Sequence, residues 1–277
     1  MYDKDRYIDI LLRTLKTFDA FCSRYNLKYV AAFGTVLGAI RHKGLIPWDD
    51  DIDVYMLRPD YERFLTLRKE AQNENCKIQD ISDEGYYLPY AKFSDANTSI
   101  WEIKEFECMI GVFIDVFPLD FVSEDVAYCQ QLQENYRNLI YKYQISLSKY
   151  TPFNVQPFAT PMKLVKAKMR GKSYFRRRIN DIENDIKAVK GDKVFVYESF
   201  YSLPRCAAPL EWFENPVRVP FEGWSIPVPR DYDGFLTLYY GDYMTPPPVE
   251  KRVSQHYHYF VDLDRYVSVE EVKNLKK

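Results

Sequence analysis

Four aspartates, Asp49, Asp50, Asp51 and Asp53, follow Pro47-Trp48 within seven positions, and Ile52 and Val54 alternate with the last of them. Successive side chains of a strand point to opposite faces. Asp51 and Asp53 therefore share one face, while Ile52 and Val54 can enter a core. Two carboxylates side by side repel each other and are costly to bury. A divalent cation removes that cost. Mg²⁺ prefers oxygen ligands and usually takes one or two protein carboxylates, leaving places for phosphate oxygens and water. Upstream, the apolar run Tyr29-Val30-Ala31-Ala32-Phe33 ends in Gly34-Thr35. A small turn there can bring backbone N–H groups to a phosphate at a helix N-terminus. The pattern points to a metal-dependent site acting on a nucleotide. The structural alternative is a hairpin with an acidic, solvated edge.

Three further groups could take part. Asp115 interrupts the apolar run Gly111 to Phe117. An acid inside a buried strand is expensive unless paired or metal-bound, which suggests a third metal ligand or a catalytic base. A structural arginine partner is the alternative. Asp120, just past Pro118, reads as a cap or turn residue. Arg41, His42 and Lys43 lie close to the acids in sequence and could neutralise diphosphate oxygens, with Arg41 the better candidate. His256 and His258 would share a face on a strand. With no cysteine support, they suit phosphate contact or proton transfer better than a metal.

These residues need elements to hold them. Ile8, Leu11, Leu12, Leu15, Phe18 and Cys22 predict an amphipathic helix over 5–25. A strand over 28–33, a short helical piece and a turn at Lys43-Gly44 follow. Pro59 opens a helix. Cys76 to Ile81 reads as a strand, and 87–93 with 98–103 as a hairpin turning at Asp95-Ala96-Asn97. A long helix runs from Ser123, its N-cap, to about Tyr150. The proline-bearing stretch Thr151 to Pro161 divides a front part, 1–150, from a second part, 151–277, of helix and loop. Asp231 to Tyr240 forms a short helix stopped by Gly241. The terminal VEEVKNLKK reads as a solvated helix or tail. Residues 163–178 carry Lys163, Lys166, Lys168, Arg170, Lys172, Arg176, Arg177 and Arg178 with no acid. Such a segment can lie on an anionic membrane surface, bind a polyanionic acceptor, or be a solvated face.

Composition narrows the classes. The formal net charge of −2 gives no support to a nucleic-acid partner. The 24 Tyr and 18 Phe suit an aromatic-walled pocket or a core equally well. Five scattered cysteines argue against a disulfide framework and a zinc site, and fit a reduced cytoplasm. The charged start MYDKDRYID is unlike a signal peptide, and no run of about 18 apolar residues is present.

The stretch GTVLGAIRHKGLIPWDDDIDVYM closely resembles the signature of the LicD family, phosphorylcholine transferases of bacterial surface polymers, and shares its core with fukutin-related transferases. GVFIDVFPLD (Gly111–Asp120), VPFEG (Val219–Gly223) and YYGDYM (Tyr239–Met244) with Pro246-Pro247 extend the resemblance over most of the chain. The resemblance implies an α+β, nucleotidyltransferase-like fold, a mixed sheet with flanking helices, carrying Asp51 and Asp53, with Asp115 as third carboxylate from a neighbouring strand. It makes Lys92 and Thr98 candidates for the nucleotide pocket, although on chemistry alone a strand lysine is commonly a solvated edge residue. Arg252 and His256 fall where the family has a basic/His cluster. Gln255-His256-Tyr257-His258 departs from the family's adjacent histidines. The implied donor is CDP-choline or a related CDP-linked compound, the cofactor Mg²⁺ with Mn²⁺ as the alternative, and the acceptor a lipid-linked glycopolymer of teichoic acid or lipopolysaccharide type. A cytoplasmic protein peripheral to the inner membrane face fits that acceptor. Choline has no hydrogen-bond donor and would need aromatic faces, each worth about 0.5–2 kcal/mol; Trp48, Tyr87 and Trp101 are the candidates. The rivals are transfer of another alditol phosphate, NMP transfer from an NTP, and an inactive nucleotide-binding scaffold.

Overall fold

The apolar stripe of the first helix, Tyr7, Leu11, Leu15, Phe18 and Cys22, is buried at the spacing expected of one helical face. Asp3 caps it by accepting the Arg6 N–H at 3.1 Å. The computed structural model describes residues 2–148, 161–253 and 256–275, with side chains in the segment after 160 described from residue 165. The front half runs α1 (Lys4–Arg24), β1 (Val30–Ala31), α2 (Phe33–Arg41), β2 (Asp53–Leu57), α3 (Arg58–Thr66), α4 (Arg68–Asn73), β3 (Cys76–Gln79), β4 (Ala91–Asp95), β5 (Ser99–Trp101), β6 (Phe113–Val122) and α5 (Val126–Leu147). Then come α6 (Pro161–Ala188), β7 (Lys193–Phe195), β8 (Ala208–Pro209), α7 (Glu211–Glu214), β9 (Val217–Phe221), β10 (Trp224–Val228), α8 (Tyr232–Tyr240), β11 (Phe260–Asp262) and α9 (Val269–Leu275).

The protein is α+β. A mixed sheet has the order β1-β2-β6-β4-β3, extended by β7 on β6 and β8 on β7. β2 and β6 are parallel, while β4 runs antiparallel to both β6 and β3. β6 is the spine. Its first half pairs with β2 and β4, and its last three residues pair with β7. Helix α1 and the sheet share a core in which Phe18 and Phe21 meet Phe93 at ring distances of 5.3 and 5.5 Å. Apolar residues from Tyr7 to Leu263 form one buried cluster, so the chain after 161 contributes to the same interior as the front.

Several local expectations change. β4 and β5 do not form a hairpin. Both edges of β4 are taken, by β6 and β3, and β5 pairs with β11 instead. Asp120 lies in β6, paired with Arg58 at 2.5 Å, and is neither a cap nor a turn residue. The strand passes through Pro118, which falls between the last residue paired with β4, Val116, and the first paired with β7, Asp120. A proline is tolerated where no partner needs its missing N–H. Pairing to β7 keeps the chain extended to Val122, so α5 starts at Val126 with Asp125, not Ser123, as its cap. The terminal helix is not wholly solvated: Val272 is buried with Trp101 and Val267 in a small second core. The proline-bearing stretch 151–160 lies outside the described residues.

The basic run lies on α6, whose axis breaks at Gly171, where φ is +72°. Part of its charge is used internally. Lys172 pairs with Glu84, Arg178 with Asp181 at 3.2 Å, and Arg176 donates to the Asp83 carbonyl and, at 3.1 Å, to Tyr143 Oη. Val165 and Met169, one turn apart, are 56% and 82% exposed. No helix among the described residues is long and apolar enough to cross a membrane.

Candidate active site

The sheet register builds the site. Asp53 on β2 stands opposite Asp115 on β6, and Asp115 stands opposite Lys92 on β4. Three charged residues thus sit side by side on three adjacent strands. Neighbouring strands lie about 4.8 Å apart, so the groups are within direct electrostatic reach. The alternate residues Ile52, Val54 and Val116 are fully buried on the other side. Asp51 precedes the strand rather than lying in it, yet lines the same cavity.

That cavity has a volume of about 210 Å³ and holds Asp50, Asp51, Asp53, Glu102, Asp115 and His256. Tyr7, Tyr90, Phe113, Phe117 and His258 complete its wall. Lys92 is 1% exposed. Its Nζ donates to Asp115 Oδ1 at 2.7 Å, lies 3.6 Å from Glu102 Oε1, and sits 3.2 Å from the centre of the Phe113 ring. It is a buried counter-ion rather than a solvated edge residue. His256 bridges two acids. Its Nδ1 donates to Asp50 Oδ1 at 2.8 Å, and its Nε2 is 3.3 Å from Asp51 Oδ2.

The electrostatics follow from that crowding. The hydrogen bond to Asp50 raises the His256 pKa to about 9, against the opposing effect of burial. Burial and Asp49 push Asp51 up to about 8, although His256 pulls the other way. Burial, then Asp51 and Asp115, hold Asp53 well above the carboxylate range. Burial raises Asp115 to about 6, with Lys92 restraining the rise. Burial lowers Lys92, but Asp115 and Glu102 more than offset it and leave the ammonium charged.

Hard carboxylate oxygens with excess negative charge are the donor chemistry of Mg²⁺, so the residues fit the ion. They are not equivalent, however. The Lys92 ammonium already supplies Asp115 with positive charge and His256 lies 3.3 Å from Asp51, whereas Asp53 has no cationic side chain within 4.0 Å among the described residues. Among the described residues, the trio whose donor atoms all lie within 4.8 Å of one another is Asp49, Asp50 and His256. With His256 protonated, that trio is an ion-pair network rather than a ligand set.

Gly34 and Thr35 lie inside the first turn of α2, not in a turn before it. Thr35 N–H donates to the Ala32 carbonyl, and its Oγ accepts the Asp53 N–H at 2.9 Å. Thr35 therefore helps to fix the backbone at Asp53. A Cβ on Gly34 would lie 3.1 Å from Asp49 Oδ2, so the glycine lets the acid run pass close to α2. Thr98 is buried; its Oγ accepts the Val112 N–H at 2.8 Å and donates to the Asp95 carbonyl, a tie between segments outside the cavity wall.

Arg41 and Arg252 flank Trp48, their guanidinium carbons 6.0 and 5.3 Å from its ring. Arg41 donates to the Tyr243 carbonyl at 2.8 Å and Arg252 to the Pro247 carbonyl at 2.8 Å. Burial and Arg252 lower the Arg41 pKa, the mark of two cations held together. Burial and Arg41 likewise keep His42 neutral. Trp48 is thus already served by cations. Tyr87 is buried, stacked on Phe106 at 4.3 Å and donating to Glu102 at 2.9 Å. Trp101 belongs to the second core, with its Nε1 donating to the Ile103 carbonyl. None of the three forms an open aromatic cage at the acids.

Sequence reasoning missed Glu102, Tyr7, Tyr90 and Phe117. Glu102 follows β5, and Tyr7 comes from α1; no local spacing links either to the acid run.

The fold and site together define an α+β protein whose mixed sheet presents a row of buried charges to a small, acid-lined cavity. The chain belongs to the LicD family. Residues 26–163 match the family profile described as LicD/FKTN/FKRP, nucleotidyltransferase domain. It is 30% identical over 252 residues, covering 89% of this chain and 93% of the relative, to a protein of Haemophilus influenzae named lipopolysaccharide cholinephosphotransferase LicD. An uncharacterised protein of Rickettsia typhi is 27% identical over 119 residues, 43% of this chain and 37% of its own length.

Proposed function

We propose that this protein transfers phosphocholine from CDP-choline to a sugar hydroxyl of a lipopolysaccharide-type glycopolymer. The observation that carries the reading is the match, along nearly its whole length, to a relative named as a lipopolysaccharide cholinephosphotransferase. The site geometry supports it. Asp51 and Asp53 would hold Mg²⁺, whose chemistry when bound is to neutralise the charge that develops on a departing nucleotide phosphate. Arg41 and Arg252 bind the diphosphate by charge-assisted hydrogen bonds. The acceptor oxygen forms a bond to the distal phosphorus, the P–O bond to CMP breaks, and the hydroxyl proton passes to a carboxylate. Asp115 suits that last role: at about 6 it is ionised at neutral pH yet more basic than an ordinary carboxylate. The choline head lies against Tyr7, Tyr90 and Phe117, with Glu102 supplying a negative charge nearby. Val165 and Met169, amid the cations of α6, meet the membrane that carries a lipid-linked acceptor.

The test incubates the protein with CDP-choline, Mg²⁺ and lipopolysaccharide lacking phosphocholine, following CMP by chromatography and the glycan by mass spectrometry. Expected are CMP release, phosphocholine on the glycan, and loss of both in Asp53→Asn. Pyrophosphate release from CTP would instead mean NMP transfer. A preference for CDP-ribitol would change the donor. No turnover of any CDP-alcohol would overturn the reading.

A further inference from the structure

We infer that the cleft between α5 and the start of α6 binds a phosphate-bearing saccharide segment of the acceptor. The inference rests on the transfer reading above. The cleft has a volume of about 860 Å³, some four times that of the acid cavity. Such a volume is at the upper end for sites that hold small molecules. Tyr90 lines both spaces, so a chain lying in the cleft is one side chain away from the acid cavity.

The lining has the chemistry of a glycan site with a preference for negative charge. Arg137 and Lys142 on α5 face the cleft from one side, Lys166 and Arg170 on α6 from the other. Among the described residues, none of these four has a carboxylate within 4.0 Å, whereas Lys172 and Arg178 of the same basic run are paired. Arg137 lies 4.8 Å over the ring of Phe200, which is 90% exposed. A bare aromatic ring beside a cation is a stacking platform for a sugar face. Glu198 also lines the cleft, and its Oε1 is buried with no hydrogen-bond partner. Burial lifts that carboxyl to about 8, so at neutral pH it adds little negative charge to the cleft. The four cations outnumber the two carboxyl groups of the lining, Glu134 and Glu198, and with the exposed Phe200 ring they favour an anionic saccharide over a neutral one.

The experiment uses the full chain and two exposed-site variants, Arg137→Glu and Phe200→Ala, with Arg230→Glu as an exposed control away from the cleft. The probe is deacylated lipopolysaccharide core oligosaccharide, with or without phosphatase treatment. Binding is followed by titration calorimetry, which needs no turnover, and acceptor KM is measured in parallel. Both cleft variants are expected to lose about tenfold or more in affinity for the phosphorylated probe, with acceptor KM rising to match, the loss of one charge-assisted or stacking contact. Arg230→Glu should leave both the affinity and the acceptor KM unchanged. Phosphatase treatment should weaken wild-type binding and make little difference to Arg137→Glu. Wild-type affinity in both cleft variants, or equal binding of treated and untreated probe, would overturn the inference. Absent CMP release by wild type would instead overturn the transfer reading, and calorimetry would still decide the cleft.

Discussion

Replacing Lys92 with methionine removes the one buried ammonium of the site while keeping much of its volume. In the wild type, Lys92 Nζ is 2.7 Å from Asp115 and 3.6 Å from Glu102. Breaking a buried pair on one side typically costs about 3–5 kcal/mol, because the other charge is stranded. Here the stranded group can take up a proton, so the cost depends on pH. Asp115 titrates at about 6 in the folded protein against 3.8 as a free side chain. A raised carboxyl pKa means that the folded state holds the proton longer than the unfolded state. Stability is then lost as pH rises, up to the folded pKa. In the wild type that loss stops near pH 6. Without Lys92 the folded pKa moves higher and the loss continues, at about 1.4 kcal/mol per pH unit. Between pH 6 and pH 8 the gap between variant and wild type should widen by about 3 kcal/mol. Urea unfolding of the Mg²⁺-free protein at pH 5.5, 7 and 8 measures this directly. Lys92→Met should be close to wild type at pH 5.5 and clearly less stable at pH 8. Adding Asp115→Asn to the variant should restore most of the stability and flatten the pH dependence. A Lys92→Met protein as stable as wild type at pH 8, or a gap constant with pH, would refute the buried counter-ion. If stability were untouched but donor affinity fell, Lys92 would be a substrate contact instead.

Two smaller perturbations test the surroundings. Thr35→Val leaves the Asp53 N–H without its acceptor, and an unsatisfied buried donor costs about 1–3 kcal/mol; the melting temperature should fall and Mg²⁺ should stabilise the variant less than wild type, whereas an unchanged response would mean that Thr35 does not position Asp53. Glu198→Gln removes a carboxyl whose folded pKa, about 8, lies above its ordinary 4.5. The wild type should therefore lose stability between pH 4.5 and 8, and the variant should gain on it by about 2–4 kcal/mol at the top of that window, measured by urea unfolding; parallel pH profiles would contradict a buried, unpartnered Glu198.

The sequence carried the site's charges but not their arrangement. The acid run, the alternation of Ile52 and Val54, and the single acid in the 111–117 run are local patterns, and local patterns follow strand geometry. Pairing is not local. Nothing near Lys92 announces that β4 will lie against β6 in the register that sets it opposite Asp115. The same blindness made 87–93 and 98–103 look like a hairpin, since two strand-like runs flank a turn at Asp95-Ala96-Asn97. Only the occupation of both β4 edges rules that pairing out. Pro118 misled for a related reason: a proline marks a chain end unless the partners change at its position, and that change is a property of the whole sheet. Of the aromatic candidates, Tyr87 and Trp101 are buried, and Trp48 is half-buried between two arginines. Trp101 has the right ring but uses it to pack against Val267 and Val272.

The more instructive difference concerns the three acids. In the sequence, Asp51, Asp53 and Asp115 are interchangeable carboxylates. The fold makes them unequal by what it places beside each. Asp115 has an ammonium at 2.7 Å, and Asp51 has an imidazolium at 3.3 Å. Asp53 has no cationic side chain within 4.0 Å among the described residues, although it is fixed through its backbone by Thr35 and β6. A buried carboxylate held rigidly and left uncompensated remains protonated or awaits a cation. Under the proposed mechanism, Asp53 is therefore the residue at which a divalent ion would gain most, and Asp115 the one that would stay free of it to accept a proton. A site with three equivalent acids would have to divide those tasks by chance. In this one, Lys92 and His256 divide them before any substrate arrives.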